Sequence, residues 1–302
     1  MLKVNDCHWV RAAFKTEAVP EETPRSQRIE NFGAASSFEA AIIVALLGAA
    51  DLLNEQGAVV LKQRRNYGVL GAPVTRGSRR DFLKALEALD LDRDLINRYL
   101  RKSTTQQSYY RELLLELLHF FVRTARSQHS LAFLHLYRFL ERVSYVFPIT
   151  YALKSDNFKG TYDSFKSFIT GEKTGELRFF QNFQAEVLDD AVQEASVSFD
   201  FQSLPFGGEA AGYALVKRFS ADDCLVSENP GVEVSIKCRG LVEFVVNLRN
   251  RFFHAGSGHA LNISLAELSD PDGFFGRVNR NFLNWLGIVY FQTLSAKAER
   301  YS

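Results

Sequence analysis

Leu241-Val-Glu-Phe-Val-Val-Asn-Leu-Arg-Asn-Arg-Phe-Phe-His-Ala-Gly256 carries two periodicities laid over one another. Leu241, Phe244, Val245, Leu248 and Phe252 recur at steps of three and four, the apolar stripe of a helix that keeps one face in a core. Glu243, Asn247, Asn250 and His254 recur at steps of four, three and four, a polar stripe on another face, flanked by Arg249 and Arg251. An imidazole titrates near neutral pH and can give or take a proton, while a guanidinium grips a phosphate in a planar fork and keeps its charge. Arg249, Asn250 and His254 near the end of one helix therefore suit transesterification of RNA. The same residues also have a structural reading: cations in a last turn complement the negative end of the helix dipole, and Gly256 is an ordinary stop. Arg123 and His129 share a similar spacing, but Thr124 follows that arginine, and the leucine-rich helix from Tyr109 to Arg126 reads as packing.

The Arg249-Asn250-x3-His254 pattern resembles the signature of the HEPN superfamily, in which an arginine, then a polar residue, then a histidine a few positions on stand near the end of one helix of a four-helix bundle. The resemblance covers residues 130–302 in architecture, with the specific motif confined to 241–256. It implies a metal-independent endoribonuclease that works without a cofactor, usually as a homodimer whose two signature helices form one composite cleft. On that resemblance His254 is general base or acid for attack of the ribose 2′-hydroxyl, Arg249 holds the phosphate, and Asn250 orients the phosphate or the histidine. The products would be a 2′,3′-cyclic phosphate and a 5′-hydroxyl. Such proteins are toxins or anti-phage effectors, restrained by an antitoxin or a defence-system partner. The alternative is a catalytically silent HEPN-like module that assembles with and regulates a partner protein.

The chain has 302 residues, 46% hydrophobic and 24% charged, normal for a globular protein with a large core and long enough for one elaborate domain or two. The apolar run Ala40 to Leu53 contains Gly48 and Asp51 and is too short to span a bilayer, so no membrane association is expected. Three widely spaced cysteines, Cys7, Cys224 and Cys238, read as free thiols of a cytoplasmic protein. The net charge of +1 hides two blocks: residues 62–111 hold twelve bases against five acids (+7), and residues 185–235 hold ten acids against two bases (−8). Two readings stand for them: mutual attraction, or separate faces for a polyanion and a basic partner.

The expected fold is mainly α: an N-terminal, mostly helical module over 1–128 and a helical bundle over 129–302 with a β insertion at about 196–238. In the first module, Leu2, Val4 and Cys7–Val10 suggest extended chain, and Ser36-Ser37-Phe38-Glu39 reads as the capped start of a helix running to about Glu55. A basic loop or hairpin at 57–80 and helices at about 79–89, 92–102 and 106–127 follow. The second module opens with a helix over Leu131 to Phe147, followed by helices near 161–170 and 175–195. Val197, Phe199 and Phe201 alternate with polar residues as in a strand, as do Val232, Val234, Ile236 and Cys238, and Tyr213–Phe219 is expected as a third strand. Asp270-Pro-Asp-Gly reads as a turn before a last helix over about Phe274–Glu299.

Lys62, Arg64, Arg65, Arg76, Arg79 and Arg80 can neutralise phosphates of a nucleic acid, or form a solvated loop, or dock on the acidic block. Arg251 and Asn247 beside the signature residues, and His259 in the following glycine-rich loop, are further candidates for contact with RNA; a solvent-facing loop is the plainer account of His259. No His, Cys, Asp or Glu spacing points to a metal: Cys7-His8 stands without a second ligand pair.

Overall fold

A computed structural model describes residues 2–5, 8–12, 37–63, 65–68, 86–87, 89, 92–102, 106–154, 157–170, 176–205, 207–253, 262–264 and 267–299. Most of the expected helix at 79–89 and most of the basic loop, with Arg64, Arg76, Arg79 and Arg80, lie outside the described residues, as do His254 and His259. The protein is mainly helical with two small sheets. It divides into two compact units, one of Met1–Arg126 with Leu283–Ser302 and the other of Ser127–Phe282.

In the first unit, strands β1 (Leu2–Asn5), β2 (His8–Ala12), β3 (Ala50–Leu53) and β4 (Val59–Lys62) form an antiparallel sheet in sequential order. Helix α1 (Phe38–Leu46) packs on β3 and on α3 (Gln107–Ala125), and α2 (Arg93–Lys102) precedes α3. Ser37 caps α1, its hydroxyl accepting from the Ala40 N–H at 3.1 Å. From Ala40 to Leu46 every residue of α1 is buried, as an all-apolar helix requires.

The helix expected to reach Glu55 stops at Leu46. Gly48 turns the chain at φ +73°, and a Cβ there would strike the Arg65 backbone, so only glycine fits. Residues 50–53 then enter the sheet between β2 and β4, where pairing on both sides outweighs their helical propensity. The β3–β4 turn is tied by Asn54, which accepts from the Ala58 N–H through its side chain at 2.9 Å, with Gly57 at φ +77°.

The second unit begins with α4 (His129–Ser144), α5 (Phe147–Lys154), α6 (Phe158–Thr170), α7 (Glu176–Val187) and the short α8 (Asp190–Glu194). Strands β5 (Ser196–Asp200), β6 (Leu225–Asn229) and β7 (Glu233–Lys237) form an antiparallel sheet ordered β5-β7-β6. Between β5 and β6 lies α9 (Gly208–Phe219), where a strand was expected. Gly208, Gly212, Leu215, Val216 and Phe219 are its buried residues, at helical spacing, and the missing side chain of Gly212 lets the Phe201 ring press against it. The third strand is β6 instead, joined to β7 by a tight turn through Gly231 at φ +78°.

Helix α10 (Leu241–Phe253) packs against α4, α7 and α9. The final helix α11 (Pro271–Ala298) starts at Asp270, whose carboxylate accepts from the Gly273 N–H at 2.9 Å; the expected Asp-Pro-Asp-Gly turn is thus a helix N-cap with proline in the first helical position. Phe275 of α11 meets Phe133 of α4 and Phe252 of α10, each with ring centroids 4.9 Å apart. From the sheet, Phe199 meets Phe244 of α10 at 5.4 Å, and Phe201 stacks on Phe274 at 5.5 Å. α11 is common to both units: Pro271–Phe282 belongs to the second and Leu283–Ala298 to the first, so the C-terminal grouping differs from the expected 129–302.

Candidate functional site

The apolar stripe of α10 is sunk in the second unit: Leu241, Val242, Phe244, Val245 and Leu248 have no exposed surface. That burial orients the rest of the helix. Glu243 and Asn250 are exposed, while Asn247, Arg249 and Arg251 are half-buried. The Arg249 guanidinium donates from Nη1 to Oδ1 of Asn250 at 3.0 Å, and its Cζ lies 5.1 Å from the centroid of the Tyr137 ring on α4. The Arg249 guanidinium is therefore joined to Asn250 and laid over an aromatic ring.

The two other candidates on α10 are placed differently. Asn247 donates from Nδ2 to the Phe219 carbonyl at 3.2 Å, tying α10 to the end of α9. Arg251 offers its backbone carbonyl to the Ile263 N–H at 3.0 Å, where the chain returns to the helix end. Ile263 is buried, so this return is anchored. Around the last turn, the Phe253 ring stacks on Phe133 with a 6.2 Å centroid separation and 7° between planes, and Phe252 meets Phe253 edge-on at 4.8 Å. Phe133 is in turn 6.5 Å from Tyr137. A rigid aromatic cluster thus holds the charged end of α10.

Tyr137 is the residue at this site that sequence reasoning did not single out. Its only signal was an aromatic on the apolar side of a core helix, which describes packing equally well. Of the similarly spaced Arg123 and His129, His129 lies against Gly276 and gives its carbonyl to the Asn279 amide at 2.8 Å.

Of the basic-loop candidates, Lys62 is exposed on β4, and the Arg65 guanidinium stands 6.0 Å from the Tyr67 ring. Both belong to the first unit and α10 to the second. Three of the ten acids in the acidic block are met from within its own unit: Lys237 binds Glu194 at 2.6 Å, Arg239 binds Asp223 at 3.0 Å, and Lys217 binds Glu228 at 2.9 Å. The Lys237 hydrogen bond holds the Glu194 carboxyl below its usual range.

A second polar centre lies inside the first unit. Glu39 of α1 has no exposed surface; it accepts from the Tyr99 hydroxyl at 2.8 Å and faces Lys297 Nζ at 3.7 Å. Lys297 also donates to the Tyr110 hydroxyl at 3.0 Å, and the Tyr99 and Tyr110 hydroxyls are 3.1 Å apart. Burial first, then the Glu39 charge, pushes the Tyr110 and Tyr290 phenols far above their usual range. Burial lowers the Lys297 ammonium, with Glu39 pulling the other way. Among the described residues, no group of His, Cys, Asp and Glu is placed to hold a metal ion, and no helix is long and apolar enough to cross a membrane.

No protein-family model, curated protein or solved structure matches the chain.

Proposed function

We propose that this protein is a metal-independent endoribonuclease of the HEPN type that cleaves RNA by attack of a ribose 2′-hydroxyl on the adjoining phosphate. The observation that supports this reading is the placement of Arg249 beside Asn250, 3.0 Å apart, at the C-terminal end of a helix whose opposite face is buried. In this reading α4, α7, α10 and α11 are the four helices of the bundle. Arg249 binds the phosphate and stabilises the charge that grows on its oxygens, and Asn250 holds the guanidinium in place. His254 takes the proton of the 2′-hydroxyl as the new P–O bond forms. The departing 5′-oxygen receives a proton from a second acid, which a homodimer supplies as the other copy of His254. The basic residues Lys62 and Arg65 would add sequence-independent attraction for RNA. The cellular role we infer is that of a cytoplasmic toxin or anti-phage effector, restrained by an antitoxin or defence partner.

The test is cleavage of RNA by the purified chain in the presence of a chelator. Fragments should carry 2′,3′-cyclic phosphate and 5′-hydroxyl ends, and His254→Ala or Arg249→Ala should each lower the rate by about two to four orders of magnitude. On induction, the wild-type chain should arrest growth and the two variants should not; equal toxicity of all three overturns the proposal. One observation favours a second reading, a catalytically silent assembly module: Arg249 and Asn247 are already engaged within the fold, by Asn250 and Tyr137 and by the Phe219 carbonyl. Co-purification of a partner protein with the His254→Ala chain, without cleavage by the wild type, would establish it.

A further inference from the structure

We infer that Tyr137 is a positioning residue of this site, its ring setting the plane in which Arg249 presents its guanidinium to a phosphate group. The inference rests on the proposed phosphate-binding role of Arg249 and extends it to a residue on a different helix. Tyr137 is only 6% exposed, so its ring is fixed by packing. Its neighbour Phe133 stacks on Phe253, the last residue of α10, so the surface beneath the guanidinium and the helix that carries Arg249 are held by one aromatic cluster. The Cζ-to-centroid distance of 5.1 Å is within cation–π range, about 6 Å.

Two contacts then act on one group from different directions. The ring fixes the plane of the fork, and the Asn250 carboxamide, accepting from Nη1 at 3.0 Å, fixes its rotation within that plane. Neither contact cancels the positive charge, which a carboxylate in the same place would do. An arginine that must be ordered as it grips a phosphate loses rotamer freedom at that moment, and one ordered in advance does not. What matters is therefore the face of the ring and not its hydroxyl, which sets the expectation for the conservative variant.

The experiment compares wild type, Tyr137→Phe and Tyr137→Leu in the full chain, with thermal melting as the check on folding. Inorganic phosphate is titrated while the Arg249 Nε–Hε NMR signal, assigned by its loss in Arg249→Lys, is followed, and RNA cleavage is measured in parallel. Tyr137→Phe should stay within about twofold of wild type in phosphate affinity and in kcat. Tyr137→Leu should weaken phosphate binding and lower kcat by about two- to thirtyfold, the range of a single cation–π contact, with a melting temperature close to that of Tyr137→Phe. Equal behaviour of the Phe and Leu variants overturns the inference, as does an equal loss in both, which would make the hydroxyl the working group. Should the Leu variant fail to fold, the wild-type spectrum decides: an upfield ring-current shift of the Arg249 side-chain protons supports the inference, and unshifted values overturn it. A wild-type chain that binds phosphate at Arg249 yet cuts no RNA would remove the nuclease reading while leaving the role of Tyr137 standing.

Discussion

Two cationic side chains of this protein are each set among aromatic and polar partners, Lys297 in the first unit and Arg249 in the second, and they are held in opposite ways. Lys297 is drawn inside toward a carboxylate with no exposed surface, and two tyrosine hydroxyls complete its surroundings. Arg249 stands half-buried near a helix end, with a ring and an amide among its contacts. The first arrangement satisfies charge within the fold, and removing one member strands the other in a low-dielectric interior. The second holds a charge near the surface in a fixed orientation, which is what binding an anion requires. Under the proposed function, similar residue types serve stability in one place and chemistry in the other, and the difference lies in how deeply each charge is set in its unit.

The comparison breaks most visibly if the two centres are exchanged in experiment. Arg249→Ala and His254→Ala are expected to lower RNA cleavage by about two to four orders of magnitude while urea-induced unfolding shows a loss under about 1.5 kcal/mol. A collapse of stability instead would make α10's charged end part of the scaffold. Conversely, Glu39→Gln or Lys297→Met should each reduce unfolding free energy by about 3–5 kcal/mol, because one buried charge is left unpaired; the double variant should recover to within about 1 kcal/mol of wild type. Additive losses in the double variant would show that the pair is not coupled.

A smaller effect is expected from pH. Tyr110 and Tyr290 have folded-state values raised above the ordinary 10.0, so the unfolded chain releases their protons first. The stability they contribute is fully present below about pH 10 and is lost as pH rises beyond it. Lys297 acts in the opposite sense over the alkaline range, since its lowered folded value makes its contribution improve with pH, but it is one group against two. Urea titrations at pH 8, 10 and 11 should therefore show falling stability, with a shallower fall for Tyr110→Phe; phenolate absorbance should report these two tyrosines only once the chain unfolds. The smallest effect belongs to the Glu194–Lys237 pair at the surface, where Glu194→Ala should leave the urea midpoint close to that of wild type and any difference should vanish at high salt.

How much of this was legible in advance differs between the two centres. Helix α10 announces itself because its apolar stripe and its polar stripe are both local patterns; Leu241, Phe244, Val245 and Leu248 of the stripe are buried, with Val242 beside them, while Phe252 is half-buried. The Glu39 centre was not legible. Glu39 sits two positions after the capping serine and reads as a helix-start residue, yet its partners come from α2, α3 and the end of α11, and no short-range pattern encodes them. Gly48 shows the same limit: a glycine in an apolar run is compatible with a continuing helix until the Arg65 backbone is seen to lie against it. The segment 213–219 was expected as a strand, yet it continues the helix begun at Gly208, whose Gly212 lies against Phe201 and which packs on α10.

The amino-acid order by itself determined the elements whose stability is local: the two-faced helix ending in Arg249 and Asn250, the alternating strands at 196–200 and 233–237, the serine cap of α1. Only the tertiary structure decided which aromatic lies under Arg249, which charges are sealed around Glu39, and that α11 divides its length between two cores. Periodicity reports the face that a segment turns inward. The group that meets it there comes from a distant part of the chain, and its identity is settled when the two surfaces pack.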